Sequence, residues 1–302
     1  MPPLQGPKVR LHKPAFTPLL PSELPQPGSL FALDAEFVAF SPPEKALQRG
    51  VEVEVRPSRL GLARVSVLRG QGAAKGACCI DDYIKCAEPV YDYLTKFSGL
   101  VPGDLDPARS PHHLTTLKHA YLKLRHLVDC GAVFVGHGLK KDFRMINIVV
   151  PPSQIVDTVD LFHAKRSRKL SLRFLASYLL RCSIQEHTHD SIEDAATALK
   201  LYDVYQQLVR EGAFEAKLRE MYDWGKRFGW EPVVWKDGQP HPAPQPAPAA
   251  VAAAYASGAA AAAGGLAHQM HGARPGHLHH QHQHQQHRGM HGMGGLRGQG
   301  KR

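Results

Sequence analysis

Between residues 30 and 40 the chain reads LFALDAEFVAF, an alternation that predicts a strand with Asp34, Glu36, Val38 and Phe40 on one side. VEVEVRP (51–57) alternates in the same way. RLGLARVSVLRG (59–70) reads as its hairpin partner, and GACCID (76–81) as a short third strand. A helix is expected at EPVYDYLTKF, closed by Ser98-Gly99, before the loop GLVPGDLDPARS with its Pro, Gly and Asp. LTTLKHAYLKLRHLVDCGA spaces Leu114, Leu117, Tyr121, Leu124 and Val128 as a helix would, with Gly131 as a stop. AVFVGHG (132–138) then reads as a short buried strand, and LKKDFRMINI opens the next helix. QIVDTVDLF offers a strand leading to a turn, and KLSLRFLASYLL and DSIEDAATALKLYDVYQQLVREG are two further helices. Three strands in a meander, then alternating helix and strand, predict an α/β domain with a mixed sheet and the first strand central.

Composition sets the limits of that domain at residues 28–230. Residues 1–27 carry many prolines and little periodicity, and read as a linker or lead-in. From Gly238 onward there is no Asp or Glu, and the text turns to Pro/Ala and then to His/Gln/Gly. Residues 231–302 hold too few large apolar groups to offset their conformational entropy, so a disordered tail is expected. From Gly238 onward it carries ten of the nineteen histidines and half of the formal charge of +10, which leaves only a mildly basic body. HLHHQHQHQQH reads as low-complexity drift rather than a metal site. Five cysteines without CxxC spacing point to a reducing compartment, with Cys78 and Cys79 as buried strand residues. No secretory leader is expected, and VAAAYASGAAAAAGGLA is too weakly apolar to span a bilayer. The expectation is a soluble intracellular protein with no membrane contact.

Asp34 and Glu36 change the picture. Two residues apart on a strand, they point the same way, and in a half-buried setting they repel and lose solvation. A pair of divalent cations about 3.5–4 Å apart would relieve both problems. A D-x-E alone is expected about once by chance in such a chain, so the reading needs further ligands. Asp142 lies one turn past a glycine-bracketed strand end, where open α/β sheets hold ligands. In HDSIEDA (189–195), Asp190 is a plausible N-cap with Glu193 as its capping-box partner. Asp194 then faces inward beside Ala195 and Ala198. His189, on the preceding loop, can converge with Asp194 and suits a general base.

Asp-x-Glu on a strand, Asp on a later helix and His-x4-Asp opening a still later one resemble the ordered signature of the DEDDh 3′→5′ exonucleases. The resemblance implies a ribonuclease H-like fold, α/β with a mixed central sheet flanked by helices. It implies Asp34, Glu36, Asp142 and Asp194 as ligands of two divalent cations, Mg²⁺ or Mn²⁺, His189 as general base, and release of nucleoside 5′-monophosphates. Asp34 would bridge both cations, Glu36 and Asp194 would complete the first site, and Asp142 would serve the second.

DAEFV, RPSRLGLARVSVLRG, IDDYI, EPVYDYLTKFSGLVPGDLDP, VFVGHGLKKDFRMINIVVP, KLSLRFLA and HDSIEDAATALKLY further resemble the catalytic subunits of poly(A)-nuclease (PAN) deadenylation complexes, from about residue 22 to 224. That likeness implies single-stranded RNA with a poly(A) 3′ end as substrate, in the cytoplasm and its P-bodies. In that family a pseudokinase-like scaffold subunit and poly(A)-binding protein are partners. The family's propeller, linker and ubiquitin-hydrolase-like domain do not fit into 29 residues, so the segments that recruit those partners are expected to be missing here. Phe37, Phe97 and Leu100 are candidates for an apolar surface under the last bases, and Lys140 and Lys141 for phosphate contacts. Two other functions stand beside this one. The first is a DEDDh exonuclease acting on other single-stranded RNA or DNA. The second is a non-catalytic RNA-binding or scaffold module that keeps the fold.

Overall fold

The computed structural model describes residues 16–242. In chain order its elements begin with β1 (Leu30–Ala39), β2 (Glu44–Gln48), β3 (Val51–Arg56), β4 (Leu60–Arg69) and β5 (Cys78–Ile84). There follow α1 (Thr95–Ser98), β6 (Leu114–Thr115), α2 (Leu117–Asp129), β7 (Val133–Gly136), α3 (Leu139–Ile146), β8 (Ile155–Asp157) and α4 (Thr158–Leu161). Next come α5 (Leu172–Leu175), running into a π-turn at Ala176–Leu180, then α6 (Ser191–Arg210), α7 (Phe214–Phe228), β9 (Val233–Lys236) and β10 (Gln239–Pro242). Among these, no helix is long and apolar enough to cross a membrane.

Six strands form the main sheet in the order β6-β5-β4-β1-β7-β8. β1 pairs antiparallel with β4 and parallel with β7, so it is interior and marks the change of direction. This is the mixed, helix-flanked sheet expected of a ribonuclease H-like fold. Strand alternation decides what each face of β1 meets. Phe31, Leu33, Ala35 and Phe37 join an apolar cluster with Leu124 of α2 and Phe143 of α3. Ala32 faces the other way and packs with Leu68, Val135 and, from α6, Ala195 and Leu199. Asp34 and Glu36 share the parity of Ala32, so they project toward α6. The small side chains of Ala195 and Ala198, both fully buried, let that helix approach closely.

Several elements depart from expectation. VEVEVR does not pair with β4. It turns back on EKALQ through Arg49-Gly50, both at positive φ (52° and 80°), as a two-residue hairpin requires. β4 is buried along most of its length and takes the interior place beside β1, whereas the glutamate-rich β3 stays outside as half of a separate two-stranded sheet. The helix expected over 88–97 shrinks to the single turn α1. The residues before it are held extended because Ala39 exchanges backbone hydrogen bonds with Tyr91 and Asp92, and Leu94 has φ +50°. Gly99 closes the turn as anticipated, at φ +66°.

Leu114 belongs to β6, and Thr116 caps α2 by accepting from His119 N–H. The buried face of that helix is Ala120, Leu124, Leu127 and Val128, leaving Leu117 50% exposed. The ordered body also passes both expected limits. Arg69 grips Glu23 with two bonds of 2.6 and 2.8 Å and takes the carbonyls of Thr17 and Pro18, which ties the end of the supposed lead-in to β4. At the other end the β9–β10 hairpin after α7 lies past residue 230, with Leu218, Met221, Tyr222 and Val233 joining α5 in one apolar cluster. The expected tail lies outside the described residues from 243 onward. None of the five cysteines is in a disulfide, and Cys78 and Cys79 are buried in β5.

Where β7 runs beside β1, Gly136 leaves no room for a side chain. A Cβ at Gly136 would lie 2.7 Å from the Leu33 carbonyl oxygen and collide with Leu139. Gly136→Ala should lower stability by about 1–3 kcal/mol, read as an earlier midpoint in urea unfolding; an unchanged midpoint would mean that β7 and β1 sit further apart.

Candidate active site

The approach of α6 to β1 depends on a buried polar network rooted in β4. Arg64 stands directly across from Glu36, and Ser66 across from Asp34. The Arg64 guanidinium donates to both oxygens of Asp81 at 2.7 and 3.2 Å, and to Asp190 at 2.9 Å. Ser66 donates to Asp81 at 2.9 Å and lies 2.7 Å from the Ser191 hydroxyl. Asp190 caps α6 by accepting from the N–H groups of Ile192 and Glu193. The capping box is not closed, because the Glu193 carboxylate takes the Gln185 N–H instead. One guanidinium therefore fixes the start of α6 against the sheet, and Asp194 follows one turn in.

That anchoring brings together residues 158 positions apart. Carboxylate oxygens of Asp34, Glu36 and Asp194 lie within 4.8 Å of one another. Asp194 Oδ2 accepts from Gln185 Nε2 at 2.7 Å and faces His189 Nδ1 at 3.3 Å. Gly99 packs directly on the His189 carbonyl, and the Phe97 ring meets the His189 imidazole edge-on at 6.2 Å. Asp142, on α3, is buried outside the tight trio, yet of the neighbouring charges it raises Asp34 the most.

The electrostatics are those of an uncompensated cluster. Burial, then Asp142, Glu36 and Asp194, drive the half-buried Asp34 well above the usual carboxylate range. Burial and Asp194 push Glu36 up to about 8 against the pull of Arg64. Asp142 is raised to about 7, mainly by burial and with a contribution from Asp157, although Lys141 opposes it. Glu36 Oε1 and Asp194 Oδ1 are buried with no hydrogen-bond partner. Hard carboxylate oxygens that crowd together and lack donors fit divalent cations, which favour all-oxygen ligand sets.

The remaining candidates are less uniform. Phe37 is buried in the core, with the Lys141 ammonium 5.9 Å from its ring centre. Leu100, 2% exposed, packs with Val38, Ala63, Tyr83 and Leu105, so it does not present the open apolar surface expected of it. Only Phe97, at 38%, shows its ring to solvent. Lys140 and Lys141 are exposed on α3. Sequence reasoning missed Arg64 and Asp81, although a cation and an acid in neighbouring, otherwise apolar strands were a usable signal. It also missed His137, whose Nδ1 lies 2.9 Å from Thr158 Oγ1 and which burial holds at about 4.

With this geometry in view, likeness to known proteins becomes informative. The family model described as Exonuclease matches residues 31–202. The chain is 54% identical over 217 residues to the PAN2-PAN3 deadenylation complex catalytic subunit pan2 of Schizosaccharomyces pombe, covering 71% of this chain and 20% of that protein. It is 50% identical over 240 residues to the PAN2 subunit of Homo sapiens, covering 78% and 20%. It thus spans about a fifth of the length of these curated relatives. Among solved structures, the Pan2 catalytic unit of Neurospora crassa, with protease and nuclease domains, superposes with TM-score 0.62 at 44% identity. That match covers 70% of this chain and 32% of the other. The Saccharomyces cerevisiae Pan2 pseudoubiquitin hydrolase-RNA exonuclease module in complex with A7 RNA gives 0.64 at 42%, covering 72% and 35%.

In the ion-free protein the fold holds protons on Glu36 and Asp142 that the unfolded chain releases near their ordinary 4.5 and 3.8. The folded state binds more protons, so stability falls as pH rises. In EDTA the thermal midpoint should drop between about pH 5 and about pH 8. A saturating divalent cation should remove the drop and add about 2.7 kcal/mol at a hundredfold excess over Kd. A midpoint in EDTA that rises over this interval would contradict the assigned charge balance.

Proposed function

This chain belongs to the exonuclease family, and from that premise we propose that it is a 3′→5′ exoribonuclease that shortens the poly(A) tails of mRNA and releases 5′-AMP. The observation that carries the reading is the cluster of Asp34, Glu36 and Asp194, with His189 against Asp194, Asp142 in the field of Asp34, and two carboxylate oxygens lacking any donor. The preference for adenylate rests on the relatives, which carry the name of deadenylation complex subunits, one of them solved with A7 RNA. Its setting is then the cytoplasm with its P-bodies, where tailed mRNA is found.

Asp34, Glu36 and Asp194 would hold one divalent cation, and Asp34 with Asp142 a second, Mg²⁺ or Mn²⁺ in each case. When bound, such ions neutralise phosphate charge and make water a better nucleophile near neutral pH. His189 directs Nδ1 at Asp194, which leaves Nε2 to take the proton from the attacking water. The bond from the terminal phosphorus to the preceding 3′-oxygen breaks, and that oxygen takes up a proton to leave a new 3′ hydroxyl. Phe97, beside His189, is suited to stack on a terminal base, and Lys140 and Lys141 to meet its phosphate.

Purified protein with Mg²⁺ should release AMP from 3′-adenylated RNA. Asp34→Ala should abolish turnover with the fold intact. His189→Asn should slow it by about 10²–10⁴ while keeping the ion-induced rise in thermal midpoint. Equal decay of oligo(A), oligo(U) and mixed-sequence RNA would point to a general single-strand exonuclease. RNA binding that survives EDTA without AMP release would point to a non-catalytic module.

A further inference from the structure

We propose that the basic segment 165–173, KRSRKLSLR, is the track that carries the phosphates of the incoming RNA strand toward the catalytic carboxylates. This extends the exonuclease reading, because it assigns the substrate path of that same site. The segment presents Lys165, Arg166, Arg168, Lys169 and Arg173 to solvent, five cations in nine residues with no acid among them.

A run of charges is often only a solvated loop, but this one has a fixed backbone. The buried Tyr222 hydroxyl accepts from Ala164 N–H at 3.2 Å and donates to the Arg168 carbonyl at 2.6 Å. His163 Nε2 lies 2.9 Å from the Ser167 carbonyl, and Leu170 and Leu172 are buried anchors. Cations on a preformed backbone lose less entropy on binding than cations on a loose loop.

The segment also reaches the site. Leu170 and Leu172 pack in one apolar cluster with Ala198 of α6, one turn past Asp194, and His137, at the end of the strand that precedes Asp142, lies in the fields of both Asp194 and Lys169. Its charges are left largely uncompensated. Among the described residues only Lys169 has a carboxylate within 4 Å, Asp160 at 3.8 Å, and both partners are exposed. The Arg168 guanidinium lies over Trp230 at 4.9 Å from the ring centre. A polyanion drawn to an acidic pocket needs positive charge beside it, and this segment supplies that charge.

The test compares the full chain with the variant Lys165→Gln/Arg166→Asn/Lys169→Gln, using oligoadenylate of about twenty nucleotides and the dinucleotide ApA. Three lost phosphate contacts should reduce the slope of log affinity against log salt by about 2. KM for the long substrate should rise about tenfold or more, while kcat on both substrates and kcat/KM on ApA stay near wild type. Lys165→Arg/Lys169→Arg should keep the original slope; its loss there would assign the effect to the loop's shape and overturn the track. An unchanged slope and KM in the triple variant would also overturn it. Binding of a poly-glutamate peptide by the wild type, lost in the triple variant while RNA binding is kept, would give the segment to an acidic protein surface instead. Absence of hydrolysis by the wild type would instead sink the exonuclease reading, and the salt slope would still decide the track.

Discussion

Arg64 is the cation on which the pocket's geometry depends, and it does not neutralise the pocket. Its three hydrogen bonds to acids go to Asp81 and Asp190, which are scaffold groups. Glu36, directly across the strands, receives only its field. A buried ion pair gains little net stability, because desolvation offsets the attraction, while losing one partner costs about 3–5 kcal/mol. Such a network therefore serves geometry better than stability. A planar guanidinium can bond Asp81 with two donors and still reach Asp190, which a lysine ammonium could not match in direction. The start of α6 is held in place by that fork, and His189 and Asp194 with it.

The placement of β1 explains why these acids can meet at all. As the interior strand where antiparallel pairing gives way to parallel, it has helices over both faces. One parity of its side chains feeds the core under α2 and α3. The other parity reaches α6, and there Ala32 gives way to Asp34 and Glu36. α3 starts just past the end of β7, so Asp142 arrives from the adjoining parallel strand. Three elements distant in sequence thus contribute acids to one face of one strand.

Much of this was legible because two periods carry most of the information. Alternation in LFALDAEFVAF and helical spacing in DSIEDAATALKLY assign both element type and the direction of Asp34, Glu36 and Asp194. The order of acids and histidine then pointed to the site. What could not be read was set by tertiary contact. EKALQ has no apolar alternation, and β2 forms by pairing with β3 outside the main sheet. EPVYDYL has helical spacing, but Ala39 captures its backbone into a bridge. α7 was overlooked although its apolar face packs well against α5, and Leu100 was credited with a surface that its neighbours cover. Periodicity describes what a segment prefers in isolation, and these four segments took the partners available to them.

The acid cluster weakens the fold that contains it. A buried polar atom without a partner costs about 1–3 kcal/mol, and more when charged. Glu36 and Asp194 each carry one. Against a typical folding stability of about 5–15 kcal/mol, that is a substantial fraction. The same chain satisfies its buried acids outside this cluster with care: Asp82 takes two bonds from Lys123, Asp157 accepts two backbone N–H groups, and Asp81 binds Arg64 and Ser66. Burial alone therefore does not account for the orphaned oxygens, since this fold finds donors where it needs them. They are concentrated where His189 also arrives, and hard cations are the partners that would complete them.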